Sequence, residues 1–176
     1  ETGTVVAQTT SDSRKAWTVS GDTFTPGVTY YLVEETAPAG YAVAKSIAFR
    51  LAEETVVSMK NYGFENVRRF EILGADGTTW SAVGSGNSIT MKDAPLKLTI
   101  SKKFLDSTDT SVSAQLQLTG NGKTYTWNTN DENPKTLSGS DIAPGTYVLS
   151  ETQVPFGYTR ATEVTLTVSA DGTITE

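Results

Sequence analysis

Apolar and polar side chains alternate with a period of two along most of the chain. This spacing is typical of β-strands with one buried face, because successive side chains of a strand point to opposite faces. The clearest runs predict strands at 28–34, 46–52, 55–59, 96–104, 113–120, 123–127, 146–151 and 163–169. Asp-Gly and Asn-Gly pairs indicate turns between strands. No segment has apolar residues at helical spacing over a dozen positions, so we predict an all-β, antiparallel fold.

The sequence also contains an internal repeat. It aligns "TPGVTYYLVEETAPAGYAVAKSIAFRL" (25–51) with "APGTYVLSETQVPFGYTRATEVTLTV" (143–168). The offset is 117 residues (Glu34 to Glu151), which is too long for a solenoid repeat and is typical of tandem globular domains. Residues 87–95 read as a strand that ends in Asp-Ala-Pro, and proline suits a junction because it cannot donate to a ladder. We therefore predict two domains, 1–95 and 96–176.

The alignment of the repeat predicts that each copy is incomplete. Residues 60–94 have no counterpart in the second copy, and residues 95–117 have none in the first. We expect the first domain to lack its first strand and the second domain to lack its last strand.

Composition and charge exclude several classes of partner and of catalytic site. The chain has 14 basic and 20 acidic residues and a net charge of -6, which argues against nucleic acid or an anionic membrane as a partner. No apolar run is long enough to span a membrane. The chain contains neither cysteine nor histidine. This composition excludes disulfides, cysteine nucleophiles, Ser-His-Asp triads and metal sites built from His or Cys.

The two glutamate segments resemble a known motif. Both read Tyr-x-Leu-x-Glu, three further residues, and Pro-x-Gly-Tyr. This pattern resembles the E-box of Cna-B-type domains, the prealbumin-like or inverse-immunoglobulin sandwiches of Gram-positive pilins and surface adhesins. The segments "ITMKDAP" (89–95) and "LTISKKF" (98–104) resemble the last and first strands of such domains. The resemblance implies tandem antiparallel β-sandwich domains.

In this family a lysine on the first strand forms an intramolecular isopeptide bond with Asp or Asn on the last strand, and the E-box glutamate assists. The resemblance therefore implies that Glu34 and Glu151 are the catalytic glutamates. It implies that Asp93 and Lys102 form isopeptide bonds. Since Asp93 ends the first predicted domain and Lys102 begins the second, we expect each to bond within its own domain and not to the other.

Alternation supports two of these assignments. Lys102 shares a strand face with Leu98 and Ile100, and Asp93 shares one with Met91, so both side chains are predicted to point inward.

Simpler interpretations remain open at each position. Lys97 or Lys103 could be the reactive lysine, and Glu35 could replace Glu34. Each glutamate could also be a solvated residue at a strand end, and Asp93 could begin a turn.

The implied chemistry requires no cofactor. A lysine amine is nucleophilic only when neutral, and burial in an apolar core lowers its pKa. A buried carboxyl group favours its neutral form, in which it can polarise a carbonyl and relay protons. Fixing the reactants side by side lowers the barrier further. The reaction occurs once per domain, so we do not expect an enzyme.

We predict a structural stalk or spacer of an extracellular, cell wall-anchored adhesin or pilin, with the neighbouring domains of the same protein or pilus as its partners. The alternative is a ligand-binding module for a host matrix protein or glycan, for which residues 60–86, with Arg68 and Trp80, are the expected place. The simpler interpretation of Trp17, Trp80 and Trp127 is that they are core or rim aromatics. The Arg68-Arg69 pair is predicted to lie in a solvated loop.

Overall fold

The computed structural model describes residues 3–10, 16–52, 55–59, 63–84, 86–105, 112–129 and 133–176 of the chain. All strand pairs among these residues are antiparallel, and short 3-10 turns occur at Gly21–Thr23 and Gly139–Asp141. The prediction of an all-β, antiparallel fold is confirmed. Within the described ranges, no helix has the length and apolar character needed to cross a membrane.

The strands of the described residues are, in chain order, β1 (Thr29–Leu32), β2 (Tyr41–Ala42), β3 (Ile47–Leu51), β4 (Thr55–Met59), β5 (Gly63–Val67), β6 (Phe70–Leu73), β7 (Trp80–Ala82), β8 (Ala94–Pro95), β9 (Lys97–Ile100), β10 (Ala114–Gly120), β11 (Lys123–Thr129), β12 (Lys135–Ser138), β13 (Gly145–Gln153), β14 (Val164–Val168) and β15 (Ile174–Thr175). Each of the eight strands predicted from alternation corresponds to one of these.

The chain separates into two compact units. The first comprises Glu1–Val33 and Ser46–Thr90. It contains a four-stranded sheet in the order β1-β3-β6-β7 and the ladder of β4 with β5. Four aromatic rings pack together inside it, with neighbouring centroids 5.1 to 6.2 Å apart: Phe24, Tyr30, Phe49 and Phe70.

The second unit comprises Glu34–Lys45 and Met91–Glu176. It contains a five-stranded sheet in the order β11-β10-β13-β14-β15, and the two ladders β12-β9 and β2-β8. Its core consists of inward-facing residues of these strands, as alternation requires, together with one residue between β8 and β9 and one after the second 3-10 turn. They are Leu96, Leu98, Ile100, Leu116, Leu118, Leu137, Ile142, Tyr147, Leu166 and Val168.

The sequence repeat is also a structural repeat over one hairpin. In the β1–β3 ladder Tyr30 lies opposite Phe49, and in the β13–β14 ladder Tyr147 lies opposite Leu166. Every pair of the β1–β3 register recurs in β13–β14 at the same offset of 117 residues. A 3-10 turn precedes each hairpin. The division into domains 1–95 and 96–176, each lacking a strand, remains a prediction.

The predicted strand over 87–95 is wrong for most of its length. Only Ala94–Pro95 forms a strand, β8, which pairs with β2. Asn87 lies in the left-handed region with φ 52°, a conformation that ends regular extended structure. Pro95 limits pairing at the other end because it has no N–H to donate.

Candidate functional site

Lys102 lies just after β9, on the inward face of that segment. Leu98 and Ile100 are buried, whereas Lys97 and Thr99 are exposed. The alternation continues beyond the strand, so that Lys102 is half-buried and Phe104 is buried. The prediction that Lys102 points inward agrees with this pattern.

Glu151 occupies an inward position in the long strand β13. It continues the face formed by Tyr147 and Leu149, and it is 4% exposed. The pairing of β13 with β10 contains a β-bulge at Thr152, because Gln153 and Glu151 pair with consecutive residues of β10. Bulges bend a strand and redirect the neighbouring side chain.

The bulge is fixed by hydrogen bonds. The Thr152 hydroxyl lies 3.2 Å from the backbone oxygen of Gln115 and 2.9 Å from its side-chain oxygen. These contacts hold the backbone next to Glu151 and therefore fix the direction of its carboxylate.

The Lys102 and Glu151 side chains meet inside the second unit. The Nζ of Lys102 lies 3.7 Å from Oε1 of Glu151, and the side chains are 19% and 1% exposed. The other oxygen, Oε2, accepts a hydrogen bond of 2.7 Å from the Ala161 amide. Oε1 is buried and accepts no hydrogen bond, since 3.7 Å exceeds hydrogen-bond length. One oxygen therefore anchors the carboxylate, and the other faces the lysine amine.

An aromatic pair forms one side of this site. The Lys102 amine lies 4.9 Å from the centroid of the Phe104 ring, within the range of a cation–π contact. The Phe104 ring packs edge-on against Tyr158, with centroids 5.3 Å apart. Tyr158 is the last residue of the second E-box, so the motif supplies both the carboxylate and part of the apolar side of the site.

Glu34 makes the same backbone contact as Glu151. Its Oε2 accepts a hydrogen bond of 2.7 Å from the Ala44 amide. Ala44 lies ten residues after Glu34, and Ala161 likewise lies ten residues after Glu151. Glu34 is half-buried and forms no ion pair with a described residue. This hydrogen bond between the glutamate and a backbone amide was not predicted from the sequence, although the repeat places Ala44 and Ala161 at equivalent positions.

Asp93 is half-buried, as are Ile89 and Met91, whereas Lys92 is exposed. The alternation predicted for this segment therefore holds, although no strand forms at these residues. Asp93 makes no hydrogen bond or ion pair with Lys102, Glu34 or any other described residue. Its role in an isopeptide bond remains a prediction.

The alternative residues lie on the opposite face. Lys97 and Lys103 are exposed, as is Glu35. Among the three candidate lysines, Lys102 is therefore the one turned toward a buried carboxylate. The structure brings together Lys102 and Glu151 from the predicted set. Among the described side chains, no group of three or more acidic residues could hold a metal ion.

The predicted alternative site near Trp80 has a different arrangement. The guanidinium carbon of Arg50 lies 4.2 Å from the centroid of the Trp80 ring, so it covers one face of the ring. Arg50 also pairs with Glu71 at 2.8 Å. Arg68 and Arg69 are exposed, as predicted for a solvated loop. Trp127 packs against the core of the second unit, and Trp17 is 44% exposed.

Comparison with known protein families adds one result. The model of the SpaA prealbumin-like fold domain matches residues 79–176, more than half of the chain. The chain belongs to this family. No curated protein matches the chain. The match confirms the resemblance drawn from the E-boxes and supports a structural domain of the pilin or adhesin type. SpaA-type domains occur in Gram-positive surface pilins, which indicates an extracellular location.

Proposed function

We propose that the chain is a structural spacer of a Gram-positive, cell wall-anchored adhesin or pilin, stabilised by autocatalytic isopeptide bonds. The observation that carries this proposal is the pair formed by half-buried Lys102 and buried Glu151, whose Nζ and Oε1 atoms lie 3.7 Å apart. A buried carboxylate without a hydrogen bond on one oxygen is costly for stability. Such a group is retained where chemistry needs it.

The chemistry follows from the two side chains. Transfer of a proton from Nζ of Lys102 to Oε1 of Glu151 leaves a neutral amine beside a neutral carboxylic acid. The amine attacks the side-chain carbonyl carbon of an Asp or Asn on the last strand of the same domain, and a C–N bond forms. The bond to the leaving group then breaks, and Glu151 relays protons so that water leaves from Asp or ammonia from Asn.

In the first domain the corresponding residues are Glu34 and Asp93, as the family resemblance implies. Each bond forms once and is not broken, so the domain is not an enzyme. No cofactor takes part, because the acid, the amine and the carbonyl are all side chains.

The bond explains a spacer role. A link between the first and last strands connects the points at which tension enters and leaves the domain. It also restricts the unfolded chain, as a disulfide does, without sensitivity to reduction. Forced unfolding is limited by the unfolding rate, which such a link lowers. The partners of the chain are then the neighbouring domains of the same protein or pilus.

The test is the intact mass of the denatured chain, extended at both ends by the strands that the repeat predicts to be missing. We expect a deficit of one water or one ammonia for each bond. Lys102→Arg removes the deficit of the second domain, because an arginine side chain is not a nucleophile at neutral pH. Lys97→Arg, on the exposed face, is the matched control and keeps it. A full mass in the unsubstituted extended chain would overturn the proposal.

A second comparison assigns the glutamates. Glu151→Gln keeps an acceptor for the Ala161 amide but cannot take the proton of Lys102, so we expect the deficit of the second domain to form slowly or not at all. Glu34→Gln should affect the first domain in the same way and leave the second unchanged. Loss of both deficits in either variant would contradict separate roles. Binding of matrix protein or glycan is less well supported, because Arg50 covers one face of Trp80.

A further inference from the structure

The segment Glu34–Lys45 has an unexpected place in the fold. Its sequence belongs to the first copy of the repeat, between β1 and β3, which pair with each other in the first unit. Its contacts nevertheless assign it to the second unit. We refer to residues 34–45 as the docking segment.

Backbone hydrogen bonds hold the docking segment in the second unit. The Leu96 amide donates to the Gly40 oxygen at 2.9 Å, and the Val43 amide donates to the Ala170 oxygen at 2.9 Å. The β2–β8 ladder lies between these two bonds. Leu96 also accepts a hydrogen bond of 3.0 Å from the Gly139 amide, so it joins the docking segment to the second 3-10 turn.

Close packing accompanies these bonds. Gly40 is buried, and a Cβ at this position would lie 2.4 Å from the backbone carbon of Gly139 and 2.6 Å from the nitrogen of Ser140. From the other side, a Cβ at Gly172 would lie 3.3 Å from the Cβ of Ala42. Ala42 in turn packs against the core of the second unit. The surface of the second unit therefore contacts the docking segment so closely that it leaves no space for a side chain at Gly40.

The second copy of the repeat provides an internal comparison. Gly157 is the counterpart of Gly40 and has the same left-handed backbone, with φ 86° against 85°. The same turn bond closes both motifs, from Tyr41 to Pro38 and from Tyr158 to Pro155. A Cβ at Gly157 would have no atom within 4 Å. The two turns therefore share their conformation, and only the first is packed against another segment at its glycine.

We propose that the docking segment, anchored between two strands of the first unit, is an internal partner of the second unit, which depends on it for full stability. The partner surface is formed by Leu96, the backbone at Gly139–Ser140, Ala170 and Gly172. This role is additional to the proposed function and does not depend on the chemistry of Lys102 and Glu151.

The test compares Gly40→Ala with Gly157→Ala in the full chain by amide hydrogen exchange. Both substitutions place alanine at the same positive φ, so they carry a similar backbone cost. Only Gly40→Ala adds a methyl group that clashes with backbone atoms, so the docking segment and the backbone at Gly139–Ser140 must move apart. We expect exchange of the Leu96 and Val43 amides to increase about tenfold or more over Gly157→Ala. Equal increases in both variants would overturn the proposal.

A milder pair covers the case in which Gly40→Ala does not fold. Gly172→Ala places its Cβ at 3.3 Å from Ala42, whereas Gly77→Ala occupies an equivalent Ala-Asp-Gly-Thr turn with φ 70° and open space. We expect faster exchange of the Val43 amide in Gly172→Ala, with amides at the centre of β10 as the reference for global unfolding. No difference between the Gly172→Ala and Gly77→Ala chains at Val43 would count against the docking role.

Discussion

Glu34 and Glu151 hold equivalent positions in the repeat, and each accepts a hydrogen bond from an amide ten residues later. Their surroundings differ, because Glu151 is buried beside Lys102 whereas Glu34 is half-buried and has no cationic partner among the described residues. The shared contact closes the loop of the E-box. The neighbouring lysine is what distinguishes Glu151, and the proposed role of Glu151 in bond formation rests on it.

A second equivalent pair of residues leads to a prediction on stability. The Tyr147 hydroxyl is buried; it accepts hydrogen bonds from the Ala143 amide at 3.1 Å and from Asn121 Nδ2 at 2.9 Å, and it donates to the Ala143 oxygen at 2.8 Å. Its counterpart Tyr30 accepts one, from the Thr25 amide at 2.9 Å. Tyr147→Phe should lower the free energy of unfolding by about 1–3 kcal/mol. Tyr30→Phe is the control and should cost less.

Urea denaturation measures both losses. An equal or larger loss in Tyr30→Phe would show that the buried hydroxyl network around Tyr147 is not the source of the difference.

Asp76 leads to a prediction on pH. In the turn between β6 and β7, hydrogen bonds from the Thr79 hydroxyl, the Thr79 amide and the Thr78 amide lower the pKa of Asp76 from 3.8 to about 2. Because the pKa is lower in the folded state, the stabilisation is fully present above pH 3.8 and is lost as the pH falls toward 2. An NMR titration should therefore place Asp76 near pH 2.

The matched variant is Thr79→Val, which removes the hydroxyl donor and keeps both amides. The pKa of Asp76 should then rise toward its ordinary value. A titration that is the same in both proteins would show that the hydroxyl does not cause the shift.

At the scale of elements, the β10–β11 hairpin shows two different requirements for glycine. Asn121 and Gly122 form its two-residue turn, with φ 48° and 71°, as in a type I′ turn. Gly120 is required for another reason, since a Cβ there would lie 2.5 Å from the Thr146 oxygen and from the Tyr147 ring. The hairpin therefore packs tightly against β13 at the residue that precedes its turn.

Substitutions distinguish these requirements. Gly122→Ala has open space and should cost about 1 kcal/mol of folding free energy from its positive φ. Gly120→Ala should cost about 3 kcal/mol, because backbone and ring must both move. Thermal unfolding of the two variants measures the difference. A larger loss in Gly122→Ala would contradict the close approach.

Alternation of apolar and polar residues is the sequence feature that predicted strands. It predicted β4 with its observed ends, at 55–59, and it predicted the inward face of β9, which Lys102 continues beyond the end of the strand. It missed the short strands of two to four residues, which are too short to show a period: β2, β6, β7, β12 and β15. It also missed β5, whose apolar residues Phe64 and Val67 are three positions apart in the sequence. The repeat identified Glu151, but the bulge at Thr152 that directs its side chain arises from pairing with β10, which alternation does not encode.

The position of the docking segment in the second unit could not be predicted from the sequence. The repeat assigns residues 34–45 to the first copy, and their sequence pattern matches that of 151–162 closely. The contacts that place the segment in the second unit are backbone hydrogen bonds and close approaches at glycine. Such contacts join residues far apart in the chain and leave no local pattern.

At the scale of the whole molecule, the path of the chain through the docking segment links the stability of the second unit to that of the first. The chain passes from one compact unit to the other after Val33, Lys45 and Thr90. The docking segment is therefore tethered at both ends to strands of the first unit. Loss of the β1–β3 ladder would loosen both tethers and weaken the second unit, so we expect the two units to unfold cooperatively.

This expectation can be measured with 5-fluorotryptophan, which labels Trp17 and Trp80 in the first unit and Trp127 in the second. In the unsubstituted chain, the 19F signals of Trp80 and Trp127 should change with a common thermal midpoint. Gly40→Ala should lower the midpoint at Trp127 by more than that at Trp80, since it displaces the docking segment from the second unit only. Gly157→Ala should leave the two midpoints together. Separate midpoints in the unsubstituted chain would show that the units unfold independently, and that residues 34–45 do not couple their stabilities.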